Sequence, residues 1–159
     1  MKITPFAVPG LCRTNTKPAT ATRAPLGGRS SIAWGRAAGG TGQVLAYLKL
    51  KGASDVTGID QDPALVEFIP EVARDAFKAI DIDGFLKDSD KEAKFDRIFL
   101  FDVLEHFTHT DGHALLEKLS GLLAPGGGIL LKMPNMSSPW GAQHQFGDLT
   151  HFAAYTPVS

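Results

Sequence analysis

No acidic residue occurs before Asp55, although the first 54 positions carry eight lysines and arginines. The opening segment is rich in Thr, Pro, Ala, Gly and Arg and has little apolar periodicity. Such a segment buries too little surface to fold alone, so residues 1–37 are expected to be poorly ordered. An acid-free, Arg- and Thr-bearing start also fits a transit peptide. Cysteine is nearly missing: Cys12 alone excludes an internal disulfide framework and suits a reducing compartment, which makes the cytoplasm the expected location. Long hydrophobic runs are missing as well, and no stretch approaches a transmembrane helix. The apolar part of MKITPFAVPGLCR is short and broken by Pro5 and Pro9, a poor secretory signal. A net charge of -1 gives no general attraction to nucleic acid or to an anionic membrane, and neither is expected as a partner.

What is present is an ordinary globular composition, 43% hydrophobic and 21% charged over 159 residues, enough for one compact domain. From residue 42 the pattern becomes regular. GQVLAYLKLKG reads as a short helix with Val44, Leu45, Leu48 and Tyr47 on its apolar face and Gly52 as its stop. DVTGID is a short β-branched strand ending on Asp60. In QDPALVEF, Asp62 can cap a helix that begins at Pro63. FKAIDI reads as another strand ending in acid, GFLKDSDKEAKF as a polar connection, and RIFLFDV as the clearest strand. Leucines at 115, 116, 119, 122 and 123 give TDGHALLEKLSGLL one buried helical stripe. APGGG ends that helix, GILLKM is a further strand, and the remainder after Pro134 reads as a long loop.

Strands alternating with helices imply a parallel sheet covered on both faces, with ligands beyond the carboxyl ends of the strands. Asp60, Asp81 and Asp102 each end a predicted strand, so all three acids would line one rim. One acid at such a place is usually a helix cap. Three at equivalent places argue for a site. GGTG at residues 39–42 precedes the first helix, and Asp60 follows Gly42 by 18 residues. A carboxylate at that spacing can accept both hydroxyls of a ribose, the generic pattern of nucleoside binding on a doubly wound sheet. A nicotinamide dinucleotide is disfavoured, because Leu45 stands where the third glycine of G-x-G-x-x-G is needed.

GTGQVLAYLKLKGASDVTGIDQDPALVEF, DRIFLFDVLEHF and LLAPGGGILLKMPN together resemble successive motifs of class I S-adenosylmethionine-dependent methyltransferases, and GDLTHFAAYTP is similar to a segment of a bacterial subgroup of them. The resemblance covers residues 38–159, taken as the domain. It implies an α/β, Rossmann-like, doubly wound and mostly parallel sheet with helices on both faces. It also implies S-adenosyl-L-methionine as cofactor and a small-molecule or saccharide acceptor, methylated at oxygen. Gly40 and Gly42 would line the methionine part of the cofactor, and Asp60 would bind the ribose with Gln61 beside the adenine. Asp81 and Ile82 would sit near the adenine amino group, and Phe101 and Asp102 beneath the sulfur. Glu105 and His106 belong to the family's LEH at the start of the following helix.

The departures from the family pattern are local. Arg36 takes the place of the acid that ends the family's first strand, and Ala38 that of the first glycine. SSIAWG is a poor central strand, so residues 1 to about 38 are expected not to build the usual first strand. The family's further helix and two strands after the TP-S segment are not in this sequence, so the sheet is expected to be incomplete. A catalytically inactive remnant is therefore the alternative reading.

For transfer to a hydroxyl, His106 is the first candidate base, with His144 and His151 in the last loop as others and Asp148 to orient one of them. His109 and His113 are expected on the helix surface. Asp102, Glu105 and His106 have the i, i+3, i+4 spacing that lets two carboxylates and an imidazole meet a cation. A helix cap with a packing role is the expectation there, and no metal is assigned. PWGAQHQFGDLTHF, with Trp140, Phe146 and Phe152, is expected to cover the acceptor site or to pack its aromatics on the core.

Overall fold

The computed structural model describes residues 30–35 (backbone only), 42–88 and 94–157. Five strands form one sheet in the order β3-β2-β1-β4-β5. They are β1 (Ser30–Gly35), β2 (Asp55–Asp60), β3 (Phe77–Ala79), β4 (Phe95–Phe101) and β5 (Leu123–Lys132). Every neighbouring pair is parallel. The strand order runs outward from β1 in both directions, so the chain reverses between β1 and β4. That reversal opens a crevice at the carboxyl ends, where doubly wound sheets bind ligands.

The expectation about the first strand is overturned. SSIAWG is the central strand of the sheet, ahead of the domain start predicted at residue 38. Five of its residues pair with β2 and five with β4. A slot between two parallel strands offers ladder partners on both sides. Backbone pairing of that kind does not depend on side-chain identity and outweighs weak strand propensity. Arg36, Ala38 and Gly40, which carry the departure from the family's glycine motif, lie outside the described residues, as do residues 1–29.

The first helix, α1 (Gln43–Leu50), buries Leu45, Ala46 and Leu48. Tyr47, expected on that face, is 54% exposed. Gly52 has φ 85, the left-handed turn that only glycine adopts without strain, and ends the helix as predicted. After β2, Asp62 accepts the amide of Ala64 and caps Pro63–Glu67, which is a 3-10 helix and not the expected α-helix. A second 3-10 helix, Glu71–Ala76, follows. Pro70, placed between the two, has no amide hydrogen for a continuous helical ladder. α2 (Ile82–Asp88) replaces the end of the strand predicted through residue 82 and the start of the polar connection. Asp81 drives this change, because its carboxylate accepts the amide of Gly84 at 2.6 Å and starts the helix. α3 (His109–Gly121) is capped by Thr108 and buries Leu115 and Leu119.

Two apolar clusters lie on the two faces. One gathers Leu45, Leu48, Val56, Ile69 and Ala73 beneath α1 and the second 3-10 helix. The other gathers Ile59, Ile82, Phe85, Ile98, Leu100, Leu115 and Leu119 beneath α2 and α3. β2 and β4 therefore send alternate side chains to opposite faces, as a doubly covered parallel sheet requires. The APGG turn does not precede β5 but loops out within it: Phe95 pairs with Leu123, while Arg97 pairs with Gly128. The tail predicted as a loop contains α4 (Gly141–Gly147). No helix among the described residues is long and apolar enough to cross a membrane.

Candidate active site

The carboxyl ends of the strands carry the charged residues. Asp60 closes β2 and is only 5% exposed, with its Oδ1 accepting the Asp62 amide at 3.0 Å. Gln61 follows it, exposed. Asp81 lies two residues past β3 and serves as the cap of α2, while Ile82 is buried in the core. Gly42 begins α1 at φ 69. A Cβ there would lie 2.7 Å from Ile69, so the position requires glycine for packing as well as for its backbone. Phe101 ends β4 and is half-buried, its ring edge-on to Phe99.

Asp102 follows at φ 54, the one non-glycine residue in the left-handed region among the described residues. Its amide donates to the Lys132 carbonyl at 2.8 Å, which extends the β4–β5 ladder, and its carboxylate accepts from Lys132 Nζ. Immediately beyond, Leu104–His106 form a 3-10 turn.

The tail returns to this turn. Phe152 and Ala153 donate their amides to the Glu105 carbonyl at 2.7 and 3.1 Å. This strap brings His151 over His106, with ring centroids 4.7 Å apart at 68°. The two candidate bases, 45 residues apart in the chain, thus share one site. A cleft of about 620 Å³ opens on them. It is lined by Asp102, Glu105 and His106 after β4, by Lys132, Met133 and Pro134 after β5, and by Gln143, His144, Gly147, Asp148 and His151 of the tail. Asp60, Gln61, Asp81 and Ile82 are not among the residues lining this cleft.

Hydrogen bonds orient the His106 ring. Its Nδ1 lies 3.1 Å from the Thr150 carbonyl and 3.0 Å from Thr150 Oγ1. The carbonyl can only accept, and the hydroxyl already donates to Asp148 Oδ1 at 2.6 Å. Nδ1 therefore carries a hydrogen and donates to Thr150. Asp148 also accepts the Thr150 amide, and these Thr150 bonds hold its carboxyl below the usual carboxylate range. Its other oxygen is 3.7 Å from His151 Nε2.

Glu105 is 1% exposed, and neither carboxyl oxygen has a hydrogen-bond partner. Burial pushes its carboxyl above the ordinary glutamate range, and the nearby Asp102 charge adds to the effect. Among the polar residues of this site, Lys132, Gln143 and Thr150 escaped the reading of the sequence. Lys132 bears the same signal as Asp102, a charge ending an apolar strand. Thr150 bears no sequence signal at all.

The family described as "Methyltransferase domain" matches residues 37–157. The chain belongs to this family of methyltransferase domains. No curated protein matches the sequence. Among solved structures, a SAM-dependent methyltransferase from Archaeoglobus fulgidus is similar with a TM-score of 0.68 and 18% identity, over 84% of this chain and 58% of that one. The magnesium protoporphyrin IX methyltransferase ChlM from Synechocystis, solved with SAH, gives 0.61 and 19% identity over 84% and 60%. A putative methyltransferase from Haloferax volcanii, in complex with the Trm112 activator, gives 0.64 and 16% identity over 83% and 57%. These likenesses are of fold. The chain spans 57% to 60% of the length of these three structures. The sheet accordingly has the switch point of a Rossmann-like fold, with the histidine cleft beside β4.

Proposed function

We propose that this domain transfers a methyl group from S-adenosylmethionine to a hydroxyl of a small molecule or sugar held in the histidine cleft. The observation that carries the reading is the rim itself: Asp60 closes one parallel strand, and Asp81 and Asp102 follow two others, on either side of the switch between β1 and β4. The donor set suits the cofactor. A carboxylate closing the second strand is the group that accepts the two ribose hydroxyls in nucleoside sites of doubly wound sheets, and Asp60 closes β2. Gly42 and Gln61 would flank the nucleoside, and Asp81, Phe101 and Asp102 would complete the cradle. Gly40 is assigned with them by family pattern only.

When bound, the cofactor supplies an electrophilic methyl on a sulfonium. The chain's part is to hold the acceptor in line, an effect worth roughly 7–11 kcal/mol at best. His106, whose ring Thr150 holds through Nδ1, is the first candidate to take the hydroxyl proton, through Nε2. His151, beside it and facing Asp148, is the second candidate. α4 and the tail act as the cover of the acceptor: they supply five of the lining residues while Trp140, Phe146 and Phe152 stay exposed at 68%, 74% and 71%.

The test is transfer of a labelled methyl group from the cofactor to a panel of hydroxyl acceptors. Product in the wild type and a loss of roughly 10²–10⁴-fold in His106→Ala support the reading. Cofactor binding without transfer to any acceptor in the panel supports the inactive alternative.

A further inference from the structure

Three side chains in the cleft have donor atoms that all lie within 4.8 Å of one another: Glu105, His106 and His151. Two separate observations point to a ligand between them. Glu105 is buried with both oxygens unpartnered, and His151 Nδ1 is buried without a partner. Unpartnered buried polar atoms are costly, roughly 1–3 kcal/mol each, and more when charged. A ligand that both oxygen and imidazole nitrogen can bind relieves the cost at a stroke.

We propose that Glu105, His106 and His151 bind one divalent cation of borderline softness, Zn²⁺ foremost, with its open positions toward the cleft. Two imidazoles and one carboxylate form a donor set that suits zinc and leaves a site for an exogenous oxygen. Donors around zinc at about 2.0–2.2 Å lie roughly 3.3 Å apart, so the present spread closes by side-chain rotation of about 1.5 Å. The outer sphere is already built. Metal-binding histidines commonly donate their second nitrogen to a carbonyl or carboxylate. His106 Nδ1 donates to the Thr150 carbonyl, and His151 Nε2 faces Asp148 at 3.7 Å. Asp148 and Thr150 are themselves joined by two hydrogen bonds, so one small network holds both rings. Asp102, three residues before Glu105, is not part of the set, because its carboxylate is engaged by Lys132.

The site does not depend on the methyl-transfer reading. Where both hold, His106 Nε2 is a metal ligand and no longer the base, and the cation would polarise the acceptor hydroxyl.

The experiment uses the full chain, stripped with a chelator and titrated with zinc chloride in a calorimeter, with no nucleoside present. One Zn²⁺ per chain at micromolar or tighter affinity is expected. Glu105→Gln and His151→Ala should each weaken it at least roughly ten-fold, while Glu117→Gln, exposed on α3 beside His113, leaves it unchanged. Substituted Co²⁺ should show visible absorption without a thiolate charge-transfer band. No uptake by the folded wild type overturns the proposal. So does uptake that both variants retain, or a thiolate band lost in Cys12→Ser. Circular dichroism checks the fold of each variant. If Glu105→Gln unfolds, His151→Ala, on the tail outside the sheet, decides. If both unfold, the Co²⁺ spectrum of the wild type decides.

Discussion

Replacing Gly58 by alanine sets two effects against each other, and their sizes decide the outcome. Glycine within a strand is poorer than alanine by roughly 0.5–1 kcal/mol, so propensity alone predicts that Gly58→Ala stabilises the domain. Packing predicts the opposite. Gly58 lies in β2, paired with Ala33 on one side and Phe77 on the other, directly beneath α1. A Cβ there would stand 2.8 Å from Leu45 Cδ2 and 2.9 Å from Cγ, inside ordinary contact. Leu45 is 4% exposed and packed in the core, so it must repack against its neighbours to make room. Overpacking of this kind costs about 1–3 kcal/mol, which exceeds the propensity gain. The structure also supplies the rescue. Leu45→Ala alone leaves a cavity worth about 2–5 kcal/mol, and the added methyl partly fills it. The double variant should therefore be more stable than the sum of the singles by at least about 0.5 kcal/mol. Urea unfolding of the four proteins measures this cycle. A stabilised Gly58→Ala, or strict additivity, would refute the placement of α1 on β2.

Other expectations follow from local geometry. Asp102 has φ 54, so Asp102→Ala should be less stable than Asp102→Gly by about 1 kcal/mol in the same urea assay, because alanine is strained in the left-handed region. Lys49 donates to Asp75 and holds its carboxyl below the ordinary value of 3.8. A depressed folded pKa means that the stabilisation is present above the unfolded pKa and is lost as pH falls through the folded one. Asp75→Asn should thus flatten the acid limb of the stability profile below about pH 4, and an unchanged limb would remove the pair from the account. Thr150→Val removes the hydroxyl that bridges Asp148 and His106, and should cut both zinc affinity and methyl transfer roughly 10–100-fold while the urea midpoint moves little.

How much of this was legible in the sequence differs from element to element. RIFLFDV and TDGHALLEKLSGLL carried their own periodicity, and the structure forms β4 and α3 there. The doubly wound α/β fold followed from the alternation of elements. β1 was not legible, because SSIAWG is made a strand by its two neighbours and not by its side chains. The helix expected after Asp62 became 3-10, since Pro70 interrupts the ladder that a longer helix needs. At the site, the rim acids were visible as charges ending apolar runs, and Lys132 would have been found by the same rule. The approach of His151 to His106 was not legible. It depends on two amide bonds from Phe152 and Ala153 to a single carbonyl at Glu105, and no local pattern encodes those. The spacing of Asp102, Glu105 and His106 suggested a shared face. A 3-10 turn and the pull of Lys132 separate Asp102 from the other two.

The most direct test of the nucleoside rim is calorimetric titration of the full chain with S-adenosylhomocysteine, compared with Asp60→Ala. Two hydrogen bonds to a charged carboxylate, at about 1.5–3 kcal/mol each, predict that the variant loses at least roughly 10²-fold in affinity from a micromolar wild-type value. Equal affinity in the two proteins, or a folded wild type that takes up no ligand, would contradict the account.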